Sequence, residues 1–181
     1  MKLILIDGGP ASGKNTLGNL LVQEFKEQGN EAILLNLDTY IEEFNPTWIW
    51  KNEKKKERDQ KNARVNLTKD TNKYLIKDYV IITIGERFLT QKDIAGFIKK
   101  LDIVSPIYLY HLSVPFSLRM RRLHERGPHS LIDLERDQRD RDLNAKWYGY
   151  IYENINSPME DVNNIMKLIQ NEEGALNLTF F

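Results

Sequence analysis

The chain has 181 residues, 41% hydrophobic and 29% charged, with 26 basic residues balanced by 26 acidic ones and no cysteine. That length suits one domain with a sizeable core. The neutral balance excludes a surface marked as a whole for nucleic acid or anionic membrane, and the lack of cysteine excludes disulfides, a thiol nucleophile and thiolate metal sites. Three scattered histidines do not make a structural zinc site, and no apolar run reaches the length of a membrane span, so a cytoplasmic protein is expected.

The first strand is the apolar run Leu3-Ile4-Leu5-Ile6-Asp7. It leads into Gly8-Gly9-Pro10-Ala11-Ser12-Gly13-Lys14-Asn15-Thr16 and then a helix. This spacing is that of the phosphate-binding P-loop, G-x-x-x-x-G-K-[ST], with Asn15 at the hydroxyl position and Thr16 after it. Glycines let the backbone curl its N–H groups onto phosphate oxygens, the helix N-terminus adds positive potential, and Lys14 is a movable charge for the outer phosphates. The helix carries Leu17, Leu20, Leu21 and Phe25 on one face and stops at Gly29-Asn30.

Ala32 to Leu35 reads as the second strand, ending at Asn36-Leu37-Asp38-Thr39-Tyr40, and an irregular aromatic segment runs from Phe44 to Trp50. A long helix is expected from Lys54 to about Ile76, a third strand over Tyr79 to Ile84, a Thr90-capped helix through Leu101 and a fourth strand over Ile107 to Leu112. Ser117 to Arg126 and Asp133 to Trp147 read as arginine-rich helices around Gly127-Pro128. A short fifth strand follows at Tyr150 to Ile155. Ser157-Pro158-Met159-Glu160 then forms a capping box with proline at the first helical position.

Strands alternating with helices predict a three-layer α/β/α fold around a five-stranded parallel sheet, a single domain over 1–181 with a helical lid at about 127–142. The apolar tail, Leu176 to Phe181, is read as an edge strand or a segment docked on the core, with a dimer contact as the sharper alternative; monomer and homodimer both stay open.

Ligands in such sheets sit at the carboxyl ends of the strands. Asp38 is there either to accept a proton and help hold Mg²⁺ or merely to cap the next helix. The third strand has Thr83 near the place where P-loop enzymes usually keep a magnesium-binding Asp, with Glu86 and Arg87 beyond it. Mg²⁺ is therefore expected on Thr16 and Asp38, with Asn15 or Glu86 as further candidates. Tyr40, Trp48, Glu86 and Arg87 are acceptor-side candidates, although tryptophans at such places are as often core.

Of the arginines around the lid turn, Arg122, Arg126, Arg136 and Arg139 are expected to face the cleft and neutralise transferring phosphate, while outward ones pair within helices, as Asp137 with Arg141. The Lys51–Arg58 run is read as a solvated face rather than a nucleic-acid site, since acidic residues interrupt it. Thr68-Lys69-Asp70 lies within a helix and is not a guanine-reading motif.

With these parts placed, the chain resembles the P-loop small-molecule and nucleotide kinases. The loop from Gly8 to Thr16 is similar to those of adenylate, cytidylate and uridine kinases, and Asp38-Thr39-Tyr40 resembles the Asp-x-aromatic of uridine kinase, whose Asp is the base. Val114-Pro115 through Arg122 and Arg126 resembles the first lid helix of adenylate kinases, which implies ATP contacts for both arginines. Glu135 to Arg141 resembles the cytidylate kinase lid, which implies acceptor contacts for Arg136 and Asp140. Asn156-Ser157-Pro158 resembles the loop that lies along the adenine. The chain departs from the cytidylate pattern at Leu143, and that family's acceptor-binding segment is not visible after Asp38.

The resemblance implies ATP and Mg²⁺ as cofactors, with Gly8 to Thr16, Arg122 and Ser157 binding the nucleotide. The expected reaction is transfer of the γ-phosphoryl group to a hydroxyl of a nucleoside or other metabolite. A nucleoside monophosphate acceptor and a catalytically reduced nucleotide-binding protein are the alternatives; neither nucleic acid nor membrane is an expected partner.

Overall fold

A computed structural model describes residues 1–102, 105–125, 127, 133–144 and 148–180. Strands β1 (Lys2–Gly8), β2 (Ala32–Asn36), β3 (Val80–Ile84), β4 (Ile107–Ser113) and β5 (Tyr150–Glu153) form one sheet in the order β2-β3-β1-β4-β5. All four pairings are parallel. The helices are α1 (Lys14–Glu27), α2 (Leu37–Phe44), α3 (Glu53–Ile76), α4 (Gln91–Ile98), α5 (Phe116–Glu125), α6 (Leu134–Asn144) and α7 (Pro158–Gln170).

The central strands are apolar throughout because both faces of the sheet are covered. Ile4, Ile6, Ile82, Tyr108 and Tyr110 pack with Leu21, Val162 and Ile165 of α1 and α7. On the other face Leu3, Leu5, Ile81 and Leu109 pack with Ile41, Leu67 and Ile94 of α2, α3 and α4. Together they make the expected three layers. Thr90 caps α4 through a reciprocal bond with Asp93, and the helix then tightens into turns up to Leu101. Ser157 caps α7 by accepting from the Glu160 N–H at 3.4 Å; the expected capping box is present in this half.

The second strand passes into α2 with no loop between them, and Asn36 is the cap: its Oδ1 accepts from the Asp38 N–H at 3.1 Å. Asp38 is therefore not the capping residue. Its carboxylate stands free of that duty in the first turn of the helix, at the carboxyl edge of the sheet.

The outer edge of β4 is shared. β5 pairs with Tyr110 to Ser113, and the tail covers the rest: Leu109 N–H donates to Gly174 O (2.9 Å) and Leu176 N–H to Ile107 O (2.8 Å). Leu176 and Leu178 pack half-buried on the core, so the tail is docked within its own chain. Phe181 lies outside the described residues.

The two coverings meet at Gly149, whose φ of +82° is a backbone conformation that costs an L-residue about 1–2 kcal/mol, and where a Cβ would run into the Leu109 carbonyl. Gly149→Ala is expected to lower the urea unfolding free energy by at least that amount. An unchanged midpoint would show that β5 can shift without loss.

Candidate functional site

The loop between β1 and α1 has the curl that its glycines promised. Gly13 has φ +92° and Ala11 φ +59°, and Ser12 N–H donates to Gly9 O at 3.2 Å. Neighbouring elements brace it from behind: Asn154 Nδ2 donates to Ser12 O (2.7 Å) and Arg122 Nη1 to Ala11 O (3.4 Å). A Cβ on Gly13 would stand 2.6 Å from the Asn154 amide, so the glycine is required by closeness as well as by φ. The Ser12 hydroxyl is buried in this loop with no partner among the described residues. Lys14 folds back, its Nζ donating to Gly8 O (2.7 Å) and Gly9 O (3.0 Å). Burial pushes its ammonium down to about 8, and the charges of Asp7, Asp38 and Asp137 only partly offset this. Curled backbone, an orphan hydroxyl and a lysine held by two carbonyls fit a triphosphate.

Behind the loop lies a charged network that pattern reading missed. Asp7, 1% exposed, lies in the buried stretch near the end of β1, beside its register partner His111. Arg141 reaches it from α6, with Nη1–Oδ2 at 3.1 Å and Nη2–Oδ1 at 3.3 Å. His111 Nδ1 lies 3.2 Å from the same carboxylate and Nε2 donates to Tyr148 O at 2.7 Å. Arg141 also pairs within its helix to Asp137, as expected (Nε–Oδ2, 3.1 Å), and Asp137 accepts from Arg119 of α5 at 3.2 Å. Arg119 donates to Gln138 as well. A Cβ on Gly9 would collide with the Arg119 guanidinium and the Asp137 carboxylate, so the second loop glycine is what lets α5 and α6 close on the strand end. The signal was a carboxylate directly following four fully buried apolar residues.

This arrangement corrects the lid assignment. Arg119 and Arg141 are the buried lid arginines and are held by carboxylates, whereas Arg136 and Arg139 lie on the exposed face of α6. The helical period decides this: Leu134, Asp137, Gln138 and Arg141 share the inward stripe, and positions 136 and 139 are opposite it. Arg122 meets the loop as expected, and Arg126 lies outside the described residues.

On the acceptor side, burial raises the Asp38 carboxyl above its ordinary value while the charge of Lys14 draws it back. Gly85 brings the end of β3 against this helix start, 3.1 Å from Leu37 N by the position its Cβ would take. Glu86 is held by Arg64 of α3, whose Nε donates to both carboxylate oxygens at 2.8 and 3.0 Å; burial still raises the Glu86 carboxyl. Arg87 pairs with Asp140 of α6 at 3.7 Å. Tyr40 donates to Asp70 at 2.8 Å. Trp48 packs half-buried on the core at φ +58°, edge-on to Trp50, with its Nε1 donating to Glu42 at 3.3 Å.

Two cavities open near the first turns of α1. One of about 170 Å³ lies between Gly13, Thr16, Arg122, Asn154, Asn156 and Pro158. The other, about 500 Å³, runs along the edge strand β2, lined by Asn15, Leu34, Asn36, Thr39, Asp70 and Tyr74. Ser157 sits between two residues that line the first cavity but caps its helix instead. Thr16 lines the smaller cavity and Asn15 the larger, as adjacent residues at the start of a helix point about 100° apart; Asp38, expected to share the metal with Thr16, lines neither. The Thr16 hydroxyl, Asn15 Oδ1 and the Asp38 carboxylate are hard oxygen donors of the class Mg²⁺ takes. Thr83 Oγ1, where a carboxylate was expected to be missing, is buried without a partner among the described residues.

Burial pushes the Asp7 carboxyl up, yet the bond to His111 and the charge of Arg141 outweigh it and hold it at about 2. Its contribution is complete above the ordinary carboxylate value of 3.8 and is lost as the pH falls through about 2. Removing one member of a buried pair strands the other, so Asp7→Asn is expected to cost roughly 3–5 kcal/mol in urea unfolding at neutral pH, with most of the difference from wild type gone in strong acid. A change within about 0.5 kcal/mol, the ordinary range of surface substitutions, would mean that the network does not hold α6 to the sheet.

Comparison with known proteins now has a geometry to refer to. Residues 1–85 match the family described as "Chromatin associated protein KTI12". No curated protein matches the sequence. Solved structures match over nearly the whole chain at low identity. A sugar kinase from Janibacter sp. HTCC2649 is similar at TM-score 0.65 and 13% identity, over 94% of this chain and 95% of that one. A shikimate kinase from Acinetobacter baumannii, solved with shikimate, is similar at TM-score 0.60 and 23% identity, over 94% and 93%. The APS kinase of Mycobacterium tuberculosis, solved with AMPPNP and APS, is similar at TM-score 0.61 and 14% identity, over 93% and 97%. The chain therefore has the three-layer fold of the P-loop kinases, as its loop, strand order and helices indicated.

Proposed function

We propose that the protein is an ATP-dependent phosphotransferase that moves the γ-phosphoryl group of Mg-ATP to a hydroxyl of a small molecule. The observation that carries this reading is the uncapped, half-buried carboxylate of Asp38 lying within the field of Lys14 at the mouth of the loop. The named activities of the shikimate, sugar and APS kinases support it as analogies of fold.

Lys14 leaves the Gly8 and Gly9 carbonyls for the outer phosphate oxygens, and the loop N–H groups and the Ser12 hydroxyl take the rest. The base lies in the cavity between Arg122 and the Asn156–Pro158 loop, where Arg122 also faces phosphate. Thr16, Asn15 and Asp38 would hold Mg²⁺, which would supply positive charge against the phosphates. Asp38 orients the acceptor hydroxyl and receives its proton as the new O–P bond forms and the bond to the β-phosphate oxygen breaks. Its raised carboxyl suits it to hold that proton. A nucleoside monophosphate acceptor is less well supported, because Arg136 and Arg139, which would meet its phosphate, face outward. Asn15 in place of a hydroxyl and Thr83 in place of a carboxylate favour the second reading, nucleotide binding without transfer.

General-base catalysis contributes about 10²–10⁴-fold, so Asp38→Asn is expected to lower kcat by that factor while ATP affinity, read by calorimetry, stays near wild type. Retained turnover would point to a phosphate acceptor. Wild-type protein that binds ATP but transfers to no member of a broad acceptor panel would favour the second reading.

Lys14 supplies a second test. Its ammonium in the free protein is pushed down to about 8, so above that pH nucleotide binding has to restore the proton. ATP affinity is expected to fall as the pH rises through about 8, with proton uptake visible as buffer-dependent binding enthalpy. Affinity flat from pH 7 to 9.5 would remove Lys14 from the phosphate site.

A further inference from the structure

We propose that the open edge of β2 is a docking site for an extended basic segment of a partner protein, which joins the sheet as an added strand. The proposal stands apart from the phosphotransferase reading and does not depend on it.

The first observation is the main chain. β2 is the end strand of the sheet and pairs only with β3 among the described residues. Val80 N–H donates to Glu31 O at 2.8 Å, which fixes the phase of the ladder. Successive residues of a strand turn their N–H and C=O groups to alternate sides. Ile33 and Leu35 therefore bond to β3, and Ala32 and Leu34 hold theirs out at the open edge. Edge strands are ordinarily blunted by a charge, a proline, a bulge or a covering segment. Ala32 to Asn36 contains no charge and no proline, and its register to β3 runs without a bulge. At β4, by contrast, the chain covers the outer edge with its own tail, through Leu109 and Leu176.

The second observation is the shape and charge of what borders this edge. The cavity of about 500 Å³ runs along it, walled by Asn15 and Asn19 of α1 on one face of the sheet and by Tyr40, Glu43, Asp70 and Tyr74 of α2 and α3 on the other. The lining holds two carboxylates and neither lysine nor arginine. Asp70 Oδ2 accepts from the Tyr40 hydroxyl at 2.8 Å, which fixes the carboxylate in the wall. Lys73 stands over the Tyr74 ring but lines a separate groove with Lys69 and Ile76.

A strand laid on this edge gains main-chain bonds from Ala32 and Leu34, and its side chains alternate between the two walls. Those turned to α2 and α3 meet Glu43 and Asp70, which select lysine or arginine. Those turned to α1 meet amides, which take small or polar residues. A second copy of this chain is the poorer occupant. Two β2 edges related by a two-fold axis normal to the sheet would set Glu43 and Asp70 against their own copies, and like charges so placed repel.

The test titrates labelled, end-blocked peptides into the full chain by fluorescence anisotropy at low ionic strength. The basic probe is Thr-Lys-Val-Lys-Val-Lys-Thr, and the acidic probe has glutamate for each lysine. The basic peptide is expected to bind about tenfold or more tightly than the acidic one. Two further forms of the basic peptide are N-methylated, one at the lysines and one at the valines. Only one set of N–H groups can face β2, so one form is expected to lose about tenfold or more and the other to bind like the parent. Bound basic peptide is expected to slow hydrogen exchange at the Ala32 and Leu34 amides, while those of Ile33 and Leu35, already in the ladder, stay as they were. The Glu43→Gln/Asp70→Asn variant keeps an acceptor for Tyr40 and is expected to bind the two parent peptides alike. No binding of the basic peptide, equal binding of the acidic one to wild type, or indifference to both methylation patterns overturns the proposal. So does a chain that sediments as a dimer with the Ala32 and Leu34 amides protected before any peptide is added, since the edge is then filled by a second copy.

Discussion

A single buried carboxylate ties the layers of this protein together. Asp7 stands at the end of the central strand, where the main chain leaves the sheet to form the phosphate loop, and it is joined to His111 on β4 and to Arg141 on α6. Taking an aspartate and an arginine out of water is costly unless each is paired with good geometry. Here Arg141 has Asp137 as well, and Asp137 has Arg119. The network gives α5 and α6 a defined seat over the loop. It also explains why Gly9 carries no side chain, since the Arg119–Asp137 pair closes on its Cα. The helices that form the lid in the proposed reaction are thus anchored to the strand that bears the loop.

Two unlike cavities open near the first turns of α1. On one side Thr16, Arg122, Asn154 and the Asn156–Pro158 turn enclose a small cavity. Further out, along the edge strand β2, Asn15, Asn36 and α2 border a larger one whose lining holds no basic side chain. Lys14 is bound to two carbonyls of its own loop, and the Asp38 carboxylate is near enough to act on its charge. Phosphoryl transfer across such a loop needs little covalent chemistry from the protein. It needs the donor phosphate, a proton acceptor and the incoming hydroxyl in line, in a place where water is few.

Much of this was legible in the sequence because the signals were local. The apolar strands, the glycine pattern, Thr90 and Ser157 as caps and the alternation of strand and helix led to the observed layers. The strand pattern also pointed to the carboxyl ends as the place for chemistry. What pattern could not reach was side-chain pairing between distant elements. Asp7 and Arg141 are 134 positions apart, and nothing local to either says that they meet. The orientation of α6 was misjudged for the same reason: its sequence is charged on every face, so no hydrophobic stripe showed which arginines turn inward. Asp38 reads from the sequence as a possible cap, a duty that the structure gives to Asn36. Trp48 was drawn toward the site by its position after β2, whereas its ring contacts belong to the core.

The most direct measurement is a crystal structure of the full chain with Mg²⁺ and AMPPNP. Lys14 is expected to have left the Gly8 and Gly9 carbonyls for the β- and γ-phosphates, with the base between Arg122 and the Asn156–Pro158 turn and the γ-phosphate directed toward Asp38. A nucleotide bound elsewhere, or a triphosphate in the loop with its γ-phosphate turned away from Asp38, would contradict a phosphotransferase that uses this carboxylate.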